Sequence, residues 1–205
     1  MKRLFTILFS LMLTASLYAQ TDDSFEKFYL QPKFGVNIAT VTGGADCDPR
    51  VGIIGGLELE YKPEGFFGLS VGINYSMQGD KASKNIYNYG RVKAVERIDY
   101  ITLPVLAVMN IANSGVAVKF GIQPAFNVLA NYNITVDNES KTFTFKKLGI
   151  DIEEMEFAIP FALSYTAPNG YSIEARYTMG ISDIVKNSDM KNCVFSFTIG
   201  KKFEL

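Results

Sequence analysis

The sequence predicts an all-β fold: eight antiparallel strands, connected up and down and closed into a barrel that crosses a membrane. Three observations predict it. Apolar and polar residues alternate along most of the 205-residue chain, the mark of strands with two unlike faces. After the N-terminus, no stretch approaches the ~18 apolar residues that a spanning helix requires. Tight turns alternate with long polar connections, the layout of bacterial outer-membrane barrels.

The chain opens with MKRLFTILFSLMLTASLYAQ, in which Lys2 and Arg3 precede an apolar run and small residues near Ala19. This is the layout of a secretory signal peptide over residues 1–19, and it leaves 20–205 as a single barrel domain. No cysteine stands at the boundary to carry lipid. Removing 1–19 leaves 18 basic against 21 acidic residues, a formal charge of −3. No nucleic-acid partner is expected from such a balance. The expected location is the cell outer membrane.

The strands follow in order. YLQPKFGVNIA sets Leu30, Pro32, Phe34, Val36 and Ile38 against Gln31, Lys33, Gly35 and Asn37. VGIIGGLELEYK sets Val51, Ile53, Leu57, Leu59 and Tyr61 against Gly52, Gly56, Glu58, Glu60 and Lys62. The third, FFGLSVGINYSMQ, alternates Phe67, Leu69, Val71, Ile73, Tyr75 and Met77 with Gly68, Ser70, Gly72, Asn74, Ser76 and Gln78. IDYITLPVLAVM, from Ile98 to Met109, is the fourth. GVAVKFGIQPAFNVLA, EMEFAIPFALSYT, YSIEARYTMGIS and NCVFSFTIGKKF complete the eight, each near the ~9–11 residues that span a membrane when tilted.

Pro63-Glu64-Gly65, residues 110–114 and Ala167-Pro168-Asn169-Gly170 read as tight turns. Thr40–Arg50, Gly79–Glu96, Asn131–Glu154 and Ser182–Lys191 read as external loops, which puts both termini on the periplasmic side. Within the third of these, ITVDNESKTFTF predicts a hairpin above the membrane that turns near Asp137-Asn138.

The polar faces are mostly small, so they are assigned to the crowded interior and the large apolar faces to lipid. Eight strands enclose a lumen that side chains fill. Gly68, Gly72, Gly121 and Gly180 are expected to make room there. Glu58, Glu60, Lys119, Glu174 and Arg176 are expected to form an internal charge network. Aromatic residues fall at two levels. Phe28, Tyr61, Phe67, Tyr165, Tyr171 and Phe203 mark the periplasmic interface, and Tyr75, Tyr100, Phe126, Phe157, Tyr177 and Phe195 the external one. Lys201, on the apolar face, is expected to snorkel to headgroups. Pro104, Pro124 and Pro160 fall inside strands of a sheet without edges. Around Pro104 both phases are apolar, and a register-shifting bulge would explain both facts.

FGVNIAT, GLELEYKPEGFFGLSVGINYSMQGDK, DYITLPVLAV, FGIQPAF, IPFALSYTAPNGYSIEARYTMGISDI and NCVFSFTIGKKF together resemble the PorT-like outer-membrane β-barrel domain common in Bacteroidetes. The resemblance covers essentially the whole mature chain. It implies a barrel without catalytic residues, inserted with the outer-membrane assembly machinery and surrounded by outer-membrane lipid. One member of that family supports protein secretion, so an accessory role in a secretion system is the second functional reading.

The chain has no histidine. A Ser–His arrangement is thereby impossible, and His-ligated zinc goes with it. Glu58 and Glu60 stand two apart on one strand face, where a charge network outweighs carboxylate hydrolysis. Asp46-Cys47-Asp48 resembles half a calcium loop, but no bidentate Glu follows at the required spacing. The sequence therefore indicates a non-enzyme without cofactor or metal, whose role is structural or is binding through its external loops. Among these, Gly79–Glu96 carries Lys81, Lys84, Arg91 and Lys93 with Tyr87 and Tyr89, a set able to touch anionic surface lipid. A third reading inverts the faces and makes a soluble lipocalin-like carrier. Finally, Cys47 follows the first strand and Cys193 opens the last. Closure brings these strands together, so a Cys47–Cys193 disulfide at the seam is expected in an oxidising compartment.

Overall fold

The computed structural model describes residues 27–43, 48–63, 66–86, 90–111, 114–136, 139–145, 150–186 and 188–205. The expected signal peptide lies outside them. The strands are β1 (Lys27–Thr42), β2 (Asp48–Lys62), β3 (Phe67–Ile86), β4 (Gly90–Thr102), β5 (Val105–Ile111), β6 (Val116–Val136), β7 (Glu139–Thr144), β8 (Met155–Thr166), β9 (Tyr171–Gly180), β10 (Lys191–Lys201) and β11 (Phe203–Glu204). β5 continues β4 past a break at Leu103-Pro104, β11 continues β10, and β7 is an added external strand. The remaining members form an antiparallel ring of eight, closed where β1 pairs with β10 from Lys33↔Gly200 to Thr42↔Lys191.

The faces follow strand parity. On β3, Phe67, Leu69 and Ile73 are 60, 48 and 51% exposed, while Ser70, Asn74 and Ser76 are at most 2% exposed. The same split recurs on β1, β2, β8, β9 and β10. An outer wall of exposed Phe, Ile, Leu and Val around a buried polar interior excludes the inverted, soluble-carrier arrangement, because water would meet the apolar face. Lys201 reaches over the rings of Tyr171 and Phe203, 5.1 and 5.3 Å from their centroids.

Tyr100 corrects one expectation. It is fully buried inside the ring, not at the external lipid interface. Ile101 takes the lipid face, with Val105 below it, while Thr102, Pro104, Leu106 and Val108 point inward with Tyr100. Hydropathy could not choose between two apolar phases; the hydroxyl of Tyr100 chose, because its acceptor lies inside. The expected register-shifting bulge at Pro104 is absent: one register runs from Asn74↔Thr102 to Val71↔Val105 and from Thr102↔Ala125 to Val105↔Ile122, and a bulge lies instead on β6, nearer the external end. Asp99 pairs with Leu129 and Tyr100 with Asn127, which leaves Val128 as an extra residue on β6.

The prolines occupy places where a ladder bond is already missing. Pro104 sits in the β4–β5 break, where its carbonyl accepts from Gly72 N at 2.9 Å. Leu103 N donates to the Pro124 carbonyl at 2.8 Å. Pro160 pairs with Thr178 on β9 but faces an unpaired step of β6, between Phe120↔Phe161 and Gln123↔Ala158. Each strand residue turns its N–H toward one neighbour only, so proline costs nothing on the side it does not face.

Two expected loops are extended sheet. β3 and β4 stay paired to Ile86↔Gly90, and β6 and β7 pair from Asn131↔Thr144 to Val136↔Glu139. The second pairing brackets the predicted turn, whose residues 137–138 lie outside the described set. β4 and β6 remain joined as far as Val92↔Val136. A four-stranded sheet thus projects from the external end of the ring.

Candidate functional site

The interior is built in three layers. At the periplasmic end, seven charged side chains converge from β1, β2, β6, β9 and the β10–β11 junction. Lys33 and Lys119 both contact Glu58, and Arg176 Nη2 lies 3.2 Å from the same carboxylate. Arg176 Nη2 also lies 2.7 Å from Glu174, with Lys33 and Lys119 at 3.4 and 3.3 Å from Glu174. Glu60 is held by Lys202 at 2.6 Å and by Lys119 at 3.4 Å. All but Lys202 are essentially inaccessible to solvent.

The five residues singled out in the sequence, Glu58, Glu60, Lys119, Glu174 and Arg176, therefore lie together in the lumen. Lys33 and Lys202 belong with them and were not singled out. Parity alone could have found both: Lys33 alternates with Gln31 and Asn37, and Lys202 follows Gly200 on the inward phase. Four cations meet three carboxylates, and their alternation is what makes the burial tolerable. Below them a recess of about 560 Å³, lined in part by Glu60, Lys202, Tyr29 and Asn110, opens at the periplasmic end.

The middle layer is neutral. Ser196 donates to Asn37 Oδ1 at 2.7 Å, and Asn37 Nδ2 donates to Ser76 Oγ at 2.8 Å. Gln78 donates to the same Ser76 hydroxyl at 2.9 Å. Glycine serves this interior in two ways, by close backbone approach and by making room for a neighbouring side chain. A Cβ on Gly121 would lie 2.0 Å from the Val105 carbonyl oxygen, so β5 and β6 approach through backbone there and not to admit a long side chain. At Gly72 a Cβ would meet the Pro104 ring at 3.2 Å.

The external layer begins with Tyr100, whose hydroxyl donates to the buried Glu156. Asn192 Nδ2 donates to Glu156 Oε2 at 2.9 Å. Above them an apolar cluster of Val41, Ile98, Tyr100, Ala125, Phe145 and Ile184 closes the mouth, with Tyr132, Ile152, Val185 and Met190 packed against it. Two external segments form this cover. They are tied by an Ile152↔Val185 bridge and by Glu153 N donating to the Ile184 carbonyl at 2.8 Å.

Chemically, the lumen neutralises and packs. Glu58 and Glu60 are engaged by cations and closed to solvent. Among the described residues, no group of three or more His, Cys, Asp or Glu is placed to hold a metal. Cys193 is half-buried with a free thiol, opposite Thr40 of β1; Cys47 and Asp46 lie outside the described residues, and Asp48 opens β2.

A ring without edges, apolar outside and packed with paired polar groups inside, defines an integral membrane β-barrel. The family model described as outer membrane protein beta-barrel domain matches residues 18–186, and the chain belongs to that family. Its place is the outer membrane. Solved structures similar to it include Ail, the attachment invasion locus protein of Yersinia pestis, in complex with the heparin analogue sucrose octasulfate. That match has 13% identity and a TM-score of 0.48, and it covers 86% of this chain and 99% of that one. Neisserial surface protein A matches with 13% identity and a TM-score of 0.49, over 86% and 97% of the two chains. The N-terminal barrel of Pseudomonas aeruginosa OprF matches with 8% identity and a TM-score of 0.42, over 86% and 97%. No curated protein matches the sequence.

Proposed function

We propose that this chain is a non-enzymatic outer-membrane barrel of the PorT-like type that acts at the cell surface through its projecting β3–β4 and β6–β7 hairpins. One observation carries the reading. The lumen is crossed by a layer of ion-paired side chains and covered externally by the apolar cluster around Ile184 and Phe145, so no open path for transport and no free catalytic group lies inside. The hairpins, in contrast, extend a paired sheet well beyond the ring. The PorT-like assignment is supported by the order and spacing of the stretches quoted above.

The test replaces residues 80–96 by a two-residue turn. The shortened barrel should still assemble in the outer membrane, because β2, β4, β5 and β6 keep their pairing within the ring, yet it should fail to restore the phenotype of a deletion strain. Full restoration by the shortened chain would remove the β3–β4 hairpin from the function.

A further inference from the structure

The outer wall changes chemistry within two residues at one place. Tyr75 and Ile101, paired on β3 and β4, are 37 and 36% exposed on the lipid face. The next pair on that face is Met77↔Asp99, and the one beyond is Gly79↔Arg97. Residues two apart share a face, so Ile101, Asp99 and Arg97 climb the outer wall of β4 in one column.

Asp99 is a carboxylate on an outer wall, yet its side chain has no exposure. Three donors cover it. The Tyr75 hydroxyl donates to Oδ2, and Arg97 Nε and Nη2 donate to the same oxygen at 3.0 and 2.7 Å. The Arg97 side chain itself stays 35% exposed, with three of its five N–H donors left for another partner. Gly79 opposite has no side chain to cover it. Arg50 of β2 donates to the Gln78 carbonyl and feels the charges of Asp99 and Arg97. Locally two guanidinium groups meet one carboxylate. On β6, Leu129 pairs with Asp99 and Asn131 with Arg97, and both are neutral. The nearest acids on the hairpin, Asp80 and Glu96, lie on the alternate phase.

We propose that this column is a binding site for the phosphate of a lipid headgroup in the outer leaflet. Tyr75 belongs to the aromatic level that marks the membrane–water interface, so Arg97, one residue pair beyond Asp99, stands at headgroup height. A guanidinium matches a phosphate with two parallel hydrogen bonds, which an ammonium cannot do. Asp99 is the positioning residue: its grip on Nε and Nη2 fixes the plane of the fork before the lipid arrives. Arg50 supplies the second positive charge. The inference rests on the membrane placement of the reading above.

The test uses the full chain folded in detergent micelles, with native mass spectrometry of bound diphosphorylated lipid A and of its dephosphorylated form. Wild type should prefer the phosphorylated lipid by about tenfold, the scale of one lost charge-assisted pair. Arg97→Lys should lose most of that preference although the charge is kept, and Lys62→Gln, at the periplasmic rim, should leave it unchanged. Asp99→Asn raises the local positive charge; it should nevertheless weaken the preference, because the fork is no longer held. Wild-type preference in Arg97→Lys, or binding in Asp99→Asn that matches or exceeds wild type, would reduce the site to bulk charge and overturn the proposal. Displacement of the lipid by millimolar inorganic phosphate would assign the site to a soluble anion and overturn it as well. Heat-dependent gel mobility verifies that each variant is folded. A folded, membrane-inserted barrel without lipid preference ends this proposal alone, whereas a chain recovered in the soluble periplasm ends the membrane reading itself.

Discussion

Lys119 of β6 and Glu58 of β2 meet in the lumen with neither side chain exposed to solvent. Glu58 is the hub of the charged layer, since Lys33 and Arg176 reach the same carboxylate. Removing it leaves three cations with one shared anion fewer and no water to compensate. Glu58→Ala should therefore cost about 3–5 kcal/mol, the range for breaking a buried pair from one side. Lys202, 11% exposed beside the periplasmic recess, can be partly replaced by water, and Lys202→Ala should cost less, about 1–3 kcal/mol. Urea titration of the barrel folded into vesicles measures both. Equal costs would mean that the charged layer is hydrated throughout.

The two faces of β3 should respond oppositely in kind. Val71 lies midway between Phe67 and Tyr75 on the lipid side. Val71→Arg should cost roughly 2–4 kcal/mol, as charges do near the bilayer midplane. Ser70, 1% exposed, points into the lumen opposite Glu60 of the charged layer. There, arginine should impair folding outright by overpacking and by adding a cation to a layer already positive. A Val71→Arg barrel as stable as wild type in the same titration would place that residue away from lipid.

Period-two alternation made most of this architecture legible, because in a membrane barrel both solvents of a strand are fixed by its position. Legibility ended where both phases were apolar. From Ile98 to Val108 no hydropathy pattern separates Tyr100 from Ile101; the decision belongs to Glu156 and Asn192, 56 and 92 residues away from Tyr100. The charged layer was readable as a set of inward residues, but its hub was not, since three partners of Glu58 come from three different strands. The external cover was invisible for the same reason. Phe145, Ile150 and Ile184 sit in segments that read as polar loops, and only their meeting makes them a core.

That cover carries a functional expectation. With Ile184 only 1% exposed and packed into the cluster over the Tyr100–Glu156 pair, ions find an apolar barrier above and a layer of fixed, paired charges below. Purified protein in planar bilayers should show no large, stable conductance steps. Steady steps from a verified monomer would refute the closed lumen. Ile184→Ala, which opens the cover without touching the ring, should raise the frequency of small, brief events and leave assembly unchanged.

The projecting hairpin should be sensitive to acid. Asp80 of β3 pairs with Glu96 of β4 beyond the membrane-spanning part of the ring. Burial pushes the Glu96 carboxyl above its ordinary value of 4.5, and the neighbouring Asp80 charge pushes it further the same way. A carboxyl whose value is raised by folding binds its proton more tightly in the paired hairpin than in the opened one. Between the ordinary and the raised value the folded form therefore holds more protons, and stability falls as pH rises through that window. The hairpin should be firmest below the ordinary carboxylate range and loosest above the raised value. Amide hydrogen exchange over 79–86 and 90–97, corrected for the intrinsic pH dependence of exchange, reports this directly. Glu96→Gln should flatten the profile and increase protection at neutral pH. Protection that rises with pH in the wild type, or an unchanged profile in Glu96→Gln, would show that another group governs the hairpin.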